Sequence, residues 1–199
     1  MIEIINIREL KHIGSFNVTS NELTISDFCY AYNSKSGYRT TALNGKYNVY
    51  IKQLAESNNF CSGRVSELIV LHEDINQTAT LCDLQINSSD DIKVGVDSGT
   101  MSISDSDYYK RTHETEEIED KYYNKIIINQ LGDNKAITFD NNGCCSHSGF
   151  GDGNYPVTLY QDENKNIIGV KVTFIEDVED EFEDVWCDDD DDDDDDDFE

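Results

Sequence analysis

Hydrophobic and polar residues alternate along much of the chain with a period of two, which is typical of β-strands with one buried face. In residues 22–30 (ELTISDFCY), Leu23, Ile25 and Asp27 fall on one face. In residues 46–51 (KYNVYI), three apolar side chains again alternate with polar ones. Both stretches therefore predict half-buried strands.

Two further stretches are rich in β-branched residues, residues 65–71 (VSELIVL) and 91–96 (DIKVGV). We expect residues 101–103 to continue the second of these strands, beyond a break at residues 98–99. Residues 157–175 give the strongest local signal, because two alternating runs flank the turn-forming residues 162–166 (DENKN). This pattern predicts a β-hairpin with a loop of about five residues.

One region has a helical period instead. Apolar and long side chains recur there at spacings of three and four, at Tyr108, Arg111, Thr115, Ile118, Tyr122 and Ile126. With Ser104 or Asp105 as its N-cap, we expect a helix near residues 105–124, followed by a strand that begins at 126–128. The chain is thus predicted to be mainly β, with α+β as the alternative. The expected form is an antiparallel sandwich or open barrel of six or more strands.

The acidic residues divide the chain in two. Residues 176–199 carry eighteen acidic side chains and no basic one, so only nine of the 27 net negative charges belong to residues 1–175. We expect a single β-rich domain over 1–175 and an acidic C-terminal segment over 176–199. Within that segment, 188–197 is a run of ten aspartates, which we expect to be disordered.

Charge and hydropathy also narrow the classes of partner. The fifteen basic residues are scattered singly, which argues against a nucleic-acid interface. No stretch approaches the ~20 apolar residues of a membrane span. The six cysteines lack the compact spacing of a secreted disulfide scaffold. We therefore expect a soluble, cytoplasmic protein that binds neither nucleic acid nor membrane, and the oligomeric state is left open.

The densest group of candidate functional residues is SHSGFGDGNYP, residues 146–156. A dinucleotide or phosphate loop is excluded, because Pro156 leads into a strand and no helix follows the glycines. A calcium loop would use Asp152 and Asn154. A zinc site at Cys144, Cys145 and His147 is disfavoured, because adjacent residues of an extended chain point to opposite faces.

A Ser-His-Asp triad drawn from Ser146 or Ser148, His147 and Asp152 has the right residue types, but neighbours in one loop rarely converge. The favoured interpretation of residues 146–156 is a structural turn in which Asp152 binds backbone amides. Such a turn would lead into the hairpin.

A second candidate group follows the strand at 91–96, where Asp97, Ser98 and Gly99 precede Asp105 at the helix start. If this strand lies beside the one that follows the glycines, Asp97 and Asp152 share one end of a sheet. Two converging carboxylates repel each other unless a cation, a proton or amide donors lie between them. A divalent cation is therefore the one cofactor left open.

The segments VDSG (96–99), Asp105, Tyr108 and SGFGDGNYPV (148–157) together resemble a family of uncharacterised bacterial and viral domains. Its signature is VDSG…D…Y…SGxGDGxYPV, and the likeness spans about residues 20–175. The resemblance implies a single domain and marks Asp27, Asp97 and Asp152 as the carboxylates of interest. The candidate ligand-binding residues are Asp27, Asp97, Ser98, Gly99, Asp105, Ser148, Gly149, Gly151, Asp152, Gly153 and Tyr155.

The acidic segment contains an apolar stripe at helical spacing, formed by Val178, Phe182, Val185 and Trp186. Binding to a basic partner would neutralise the flanking carboxylates and bury these side chains. The first hypothesis is therefore a non-enzymatic, protein-binding module with an acidic partner-binding segment. The alternative is a metal-dependent or hydrolase-like enzyme that uses Asp27, Asp97 and Asp152.

Overall fold

The computed structural model describes residues 7–55, 62–75, 85–86, 92–162 and 164–176. After a 3₁₀ turn at Ile7–Glu9, the strands in chain order are β1 (Lys11–Val18), β2 (Glu22–Asp27), β3 (Tyr38–Thr41), β4 (Gly45–Gln53), β5 (Val65–His72), β6 (Gln85–Ile86), β7 (Lys93–Val96), β8 (Thr100–Asp105), β9 (Ala136–Phe139), β10 (Gly143–His147), β11 (Gly153–Gln161) and β12 (Ile167–Thr173). The helices are α1 (Ser106–Thr112), α2 (Glu116–Tyr123) and a π-helical segment (Asn124–Leu131). The acidic segment beyond residue 176 lies outside the described residues.

The strands form two antiparallel sheets. One has seven strands in the order β1-β4-β5-β12-β11-β6, with β7 also paired to β11. The other has five strands in the order β3-β2-β8-β10-β9. The prediction of a mainly β, antiparallel fold is confirmed, and of the two expected forms the chain adopts the two-sheet sandwich.

The main core lies between the two sheets, because the inward face of each alternating strand is apolar. Tyr47, Val49 and Ile51 of β4 are fully buried there, and so are Leu23 and Ile25 of β2. The predicted hairpin is present as β11 and β12, joined by the loop at 162–166. The same face of β12 and its extension adds Val170, Val172 and Phe174 to this core.

The helices cover the outer face of the five-stranded sheet, where a second buried cluster is formed by Phe28, Tyr108, Ile126, Ile127, Leu131, Phe139 and Cys145. Cys144 instead points into the main core, so the two adjacent cysteines do face opposite sides of the sheet. Among the described residues, no helix has the length and hydropathy needed to span a membrane.

Three local predictions need correction. The helix near 105–124 is interrupted at His113, whose backbone leaves the helical region (φ −126°, ψ 30°). The prediction of a strand at 126–128 is wrong, because these residues lie in the π-helical segment. Ile126 and Ile127 are buried there together with Leu131, at a helical spacing. Residues 101–103 do not prolong β7, because the chain crosses at 97–99 to the other sheet and becomes β8 there.

His113 ties the end of α1 to the end of β2. Its Nε2 lies 2.7 Å from the carbonyl oxygen of Phe28 and its Nδ1 lies 3.0 Å from that of Tyr109, and its ring stacks on the Tyr109 ring at 3.8 Å. Burial lowers the pKa of His113 below its ordinary value, although the two carbonyl groups act in the opposite direction. The folded state therefore disfavours the protonated imidazole.

We predict that His113 makes the protein less stable in mild acid. Below about pH 6.5 the unfolded chain binds more protons at this residue than the folded chain, so the free energy of unfolding falls until the lower, folded-state pKa is passed. The fall reaches at most about 1.4 kcal/mol per pH unit. Urea unfolding between pH 7 and pH 5 should show a shallower decline in His113→Gln than in the exposed control His12→Gln. Parallel declines in the two variants would contradict this prediction.

Candidate functional site

The candidate site is organised by two aspartates at opposite ends of one pair of strands. Asp27 is the last residue of β2 and Asp105 is the last residue of β8. The two strands pair antiparallel, with Asp27 opposite Met101 and Asp105 opposite Leu23. Both residues are buried, since Asp27 is 0% and Asp105 is 1% exposed to solvent. A buried carboxylate requires hydrogen-bond donors, and both aspartates find them on turns that pass between the sheets.

Asp27 binds the turn that joins β7 to β8. One of its oxygens, Oδ2, accepts from the backbone N–H groups of Asp97 and Ser98, both at 2.7 Å. The other, Oδ1, accepts from the Ser98 hydroxyl at 2.6 Å and from the Cys29 N–H at 2.8 Å. Because β7 belongs to the seven-stranded sheet and β8 to the five-stranded sheet, this carboxylate fixes a crossing between the sheets.

Asp105 binds a second crossing in the same way. Its Oδ2 accepts from the N–H groups of Thr19 and Ser20 at 2.7 and 2.9 Å, in the turn that leads from β1 to β2. Its Oδ1 caps α1 by accepting from the Tyr108 N–H at 3.1 Å. Burial favours the neutral acid, but the three N–H donors together outweigh it and lower the pKa of Asp105. We call these two arrangements the aspartate clamps.

The glycine-rich residues form a third crossing beside the Asp27 clamp. Residues 148–152, which we call the glycine loop, lead from β10 to β11. The Ser148 N–H donates to the Gly99 carbonyl oxygen at 3.0 Å, which joins the two neighbouring crossings. Within the loop, the Gly151 carbonyl oxygen accepts from the hydroxyls of Ser148 at 2.7 Å and Tyr155 at 2.8 Å. Gly153 begins β11 opposite Val96.

Asp97 and Asp152 do lie at the same end of the sandwich. The ladder between β7 and β11 ends at the pair Val96 and Gly153, so Asp97 and Asp152 are the next residues on either side. Both are exposed. The amide-binding role that the sequence suggested for Asp152 is performed by Asp27, and the Asp152 carboxylate accepts no hydrogen bond from the described part of the chain. Within that part, no three His, Cys, Asp or Glu side chains are grouped to hold a metal ion.

Cys29, Ser148 and His147 lack the partners of an activated nucleophile. Burial and the negative charge of Asp27 together raise the pKa of Cys29 to about 11, so its thiol stays protonated at neutral pH. The Ser148 hydroxyl donates to a backbone carbonyl, and His147 Nε2 lies 3.1 Å from the Gly132 carbonyl oxygen. Of the residues proposed for a Ser-His-Asp triad, Ser148 and His147 are therefore engaged with the backbone, whereas Asp152 is exposed.

A cavity that the sequence did not indicate lies against the glycine loop. Its volume is about 540 Å³, and its charged or aromatic lining is Arg64, Lys135, His147 and Phe150. Arg64 donates from Nη1 to the Gly149 carbonyl oxygen at 2.8 Å, and its Cζ lies 5.5 Å from the centre of the Phe150 ring. Only the exposed phenylalanine between two glycines could have suggested this feature, because Arg64 lies 85 residues earlier in the chain. We call this cavity the Arg64 pocket.

A second cavity, of about 650 Å³, lies on the outer face of β2 and β3. Its lining mixes Glu22 with Lys35 and Arg39, so it has no strong preference for either sign of charge. The Tyr32 ring lies in this cavity with Arg39 Cζ 4.6 Å from its centre and Lys110 Nζ at 5.9 Å. None of the residues selected from the sequence lines it.

We predict that Asp27→Asn destabilises the fold by about 3 kcal/mol. The substitution removes the charge and turns one acceptor oxygen into an NH₂ group that faces buried donors. Asp152→Asn makes the same chemical change at an exposed carboxylate and should alter stability by less than about 0.5 kcal/mol. Urea unfolding of both variants measures the difference. Equal, small effects would show that the Asp27 clamp is not needed for folding.

The glycine loop allows the cost of backbone strain to be separated from that of packing. Gly149 (φ +63°) and Gly151 (φ +98°) both have backbone conformations that side chains disfavour. A Cβ added at Gly149 would lie 2.9 Å from both the Val65 carbonyl oxygen and Phe174 Cβ. A Cβ added at Gly151 would have no contact within 4 Å.

Gly151→Ala should therefore cost about 1–2 kcal/mol, and Gly149→Ala about 2–4 kcal/mol, because only the second adds overpacking to strain. Thermal unfolding of the two variants checks the order. A larger loss at Gly151 would contradict the described loop geometry.

Comparison with known proteins gives a family without an assigned activity. No curated protein and no solved structure matches the chain significantly. A family model described as "Protein of unknown function (DUF4241)" matches residues 16–172. This range agrees with residues 20–175, over which the sequence resembles a family of uncharacterised domains. Because the match covers most of the β-sandwich and all of both aspartate clamps, the chain belongs to the family DUF4241.

Proposed function

We propose that this chain is a non-enzymatic, protein-binding module whose acidic segment, residues 176–199, contacts a basic partner. The proposal rests on the hydrogen bonds that the Asp27 carboxylate accepts. An enzyme of the alternative class would need this carboxylate to act on a cation or a substrate. Its two oxygens instead accept four hydrogen bonds from the protein itself.

The remaining candidate carboxylates also fit a binding module better than a catalytic site. Asp97 and Asp152 are exposed side chains at the end of a strand ladder, and an exposed carboxylate keeps its ordinary hydration. The Asp105 carboxylate accepts the hydrogen bonds of the other clamp. General acid–base or metal-dependent catalysis requires at least one such group to be held at the reacting atoms.

The acidic segment supplies what a module for basic proteins requires. Eighteen carboxylates within 24 residues create a strong negative potential, which attracts a basic surface at long range and speeds association. The apolar stripe at Val178, Phe182, Val185 and Trp186 would add contact area once the charges are neutralised. The carboxylates then provide attraction, and the stripe provides specificity.

We propose further that the protein is soluble and lies in the reducing environment of the cytoplasm. In this proposal it binds neither nucleic acid nor membrane and holds no resident cofactor. Cys29, Cys144 and Cys145 are free thiols, which suits that compartment. Burial raises the pKa of both Cys144 and Cys145, so these thiols are poor metal ligands and poor nucleophiles.

We predict that a lysine-rich peptide binds the full-length chain and changes the fluorescence of Trp186, the chain's only tryptophan. Phe182→Ala should weaken this binding about tenfold, which corresponds to the loss of one well-buried aromatic contact. Phe198→Ala makes the same change outside the apolar stripe and should leave the affinity nearly unaltered. Titration at physiological salt measures all three affinities.

Two outcomes would contradict the proposal. Equal affinities in the two variants would mean that the segment is only a polyanion without a specific contact. The enzyme alternative would be favoured by a rise in melting temperature with one divalent metal that is lost in both Asp97→Asn and Asp152→Asn. The aspartate run binds cations in wild type and variants alike, so the comparison isolates these two side chains.

A further inference from the structure

The described chain ends next to the Arg64 pocket. The N–H groups of Phe174 and Ile175 both donate to the Ser66 carbonyl oxygen, at 2.7 and 3.2 Å, which holds the end of the hairpin against the start of β5. Gly149 touches the same two residues, since an added Cβ there would lie 2.9 Å from Phe174 Cβ and 3.0 Å from Ile175 Cγ1. The acidic segment therefore starts beside the glycine loop.

The pocket has the opposite charge to that segment. Arg64, Lys135 and the His147 ring line it, and its described lining includes no carboxylate. This is unusual in a chain with 42 acidic and 15 basic residues. Asp97 lies on the neighbouring turn and Asp152 at the end of the glycine loop, but neither is part of the lining. Lys135 is exposed, so its ammonium group can be reached from solvent.

The rim of the pocket also offers an apolar contact. Phe150 is 49% exposed and is one of two large hydrophobic side chains that stand out among the described residues. A segment that bound here would place carboxylates on the cations of the pocket and aromatic side chains on Phe150. Residues 177–186 (DVEDEFEDVW) contain both kinds of group at close spacing.

We propose that residues 177–186 bind in cis to the Arg64 pocket in the free protein, and that a basic partner releases them. An extended chain spans about 3.3 Å per residue, so ten residues reach across the pocket with length to spare. A short tether also keeps the segment at an effective concentration of about millimolar, so weak charge pairs are enough for binding. The release by a partner rests on the proposed function, whereas the binding in cis does not.

The competition makes partner binding selective. A weakly basic surface cannot displace the segment from the pocket, whereas a strongly basic one with an apolar groove can. The segment's apparent affinity for a partner is lower than its intrinsic affinity, because only the undocked fraction is competent to bind. Weakening the pocket should therefore strengthen partner binding.

The test uses the full-length chain and the acrylamide quenching of Trp186. Lys135→Glu should raise the quenching constant several-fold, towards that of a synthetic peptide of residues 176–199, because the segment leaves the pocket. The same variant should bind the lysine-rich peptide more tightly than wild type. Phe150→Ser should shift both quantities in the same direction without changing the net charge.

The matched control is Lys46→Glu, an exposed lysine at the start of β4, near His72 and so at the opposite end of β5 from Arg64. It makes the same charge reversal and should keep the wild-type quenching constant. Equal quenching constants in the Lys135 and Lys46 variants would overturn the proposal, whether both match wild type or both match the free peptide.

The two proposals fail separately. If Lys135→Glu exposes Trp186 but no lysine-rich peptide binds, the cis contact holds and the basic partner is wrong. If the peptide binds wild type and the Lys135, Phe150 and Lys46 variants equally, and Trp186 is as exposed in wild type as in the synthetic peptide, the partner proposal holds and the cis contact is wrong.

Discussion

The fold depends on hydrogen bonds that two buried carboxylates accept from backbone N–H groups of turns that pass between the sheets. Such turns carry N–H groups that no strand ladder can pair, and each buried donor left without a partner costs about 1–3 kcal/mol. Asp27 and Asp105 each accept from two consecutive N–H groups of a crossing and from one further backbone N–H close after the aspartate itself. The strand pair β2 and β8 thereby fixes a crossing at each of its ends.

The same constraint determines what remains available for function. A carboxylate that accepts three or four internal hydrogen bonds stabilises a fold and is a poor ligand for a cation or a substrate. The glycine loop is bonded to the Asp27 crossing through Gly99, so it too is mainly structural. Two features are not part of this hydrogen-bonded framework. One is the cationic pocket beside the glycine loop, and the other is the strongly acidic segment that starts next to that loop. The proposed binding module uses both features, through charge and apolar contact.

The sequence predicted the strands well where one face is apolar, as in β2, β4 and the hairpin of β11 and β12, because the period of two is itself the physical cause of burial. It failed at residues 126–128, where three isoleucines in a row carry no period. It also selected Asp27 and Asp105 as candidate ligand-binding residues, but it could not tell a structural clamp from a ligand-binding group. That distinction depends on contacts between residues 70 and 86 positions apart.

The Arg64 pocket could not be predicted from the sequence for a similar reason. Its cations are separated by long stretches of chain and line one cavity because the starts of β5 and β9, the end of β10 and the glycine loop converge at one end of the sandwich. Scattered single basic residues gave no sign of a cluster.

Amide hydrogen exchange, measured residue by residue by NMR, tests the central claim most directly. We predict that the N–H groups of Asp97, Ser98, Thr19 and Ser20 exchange as slowly as those in the β8 ladder, although all four lie in turns. The N–H of Asp152, in the neighbouring exposed turn, should exchange fast. Fast exchange at Asp97 and Ser98, equal to that at Asp152, would contradict the claim that the Asp27 carboxylate holds the crossing.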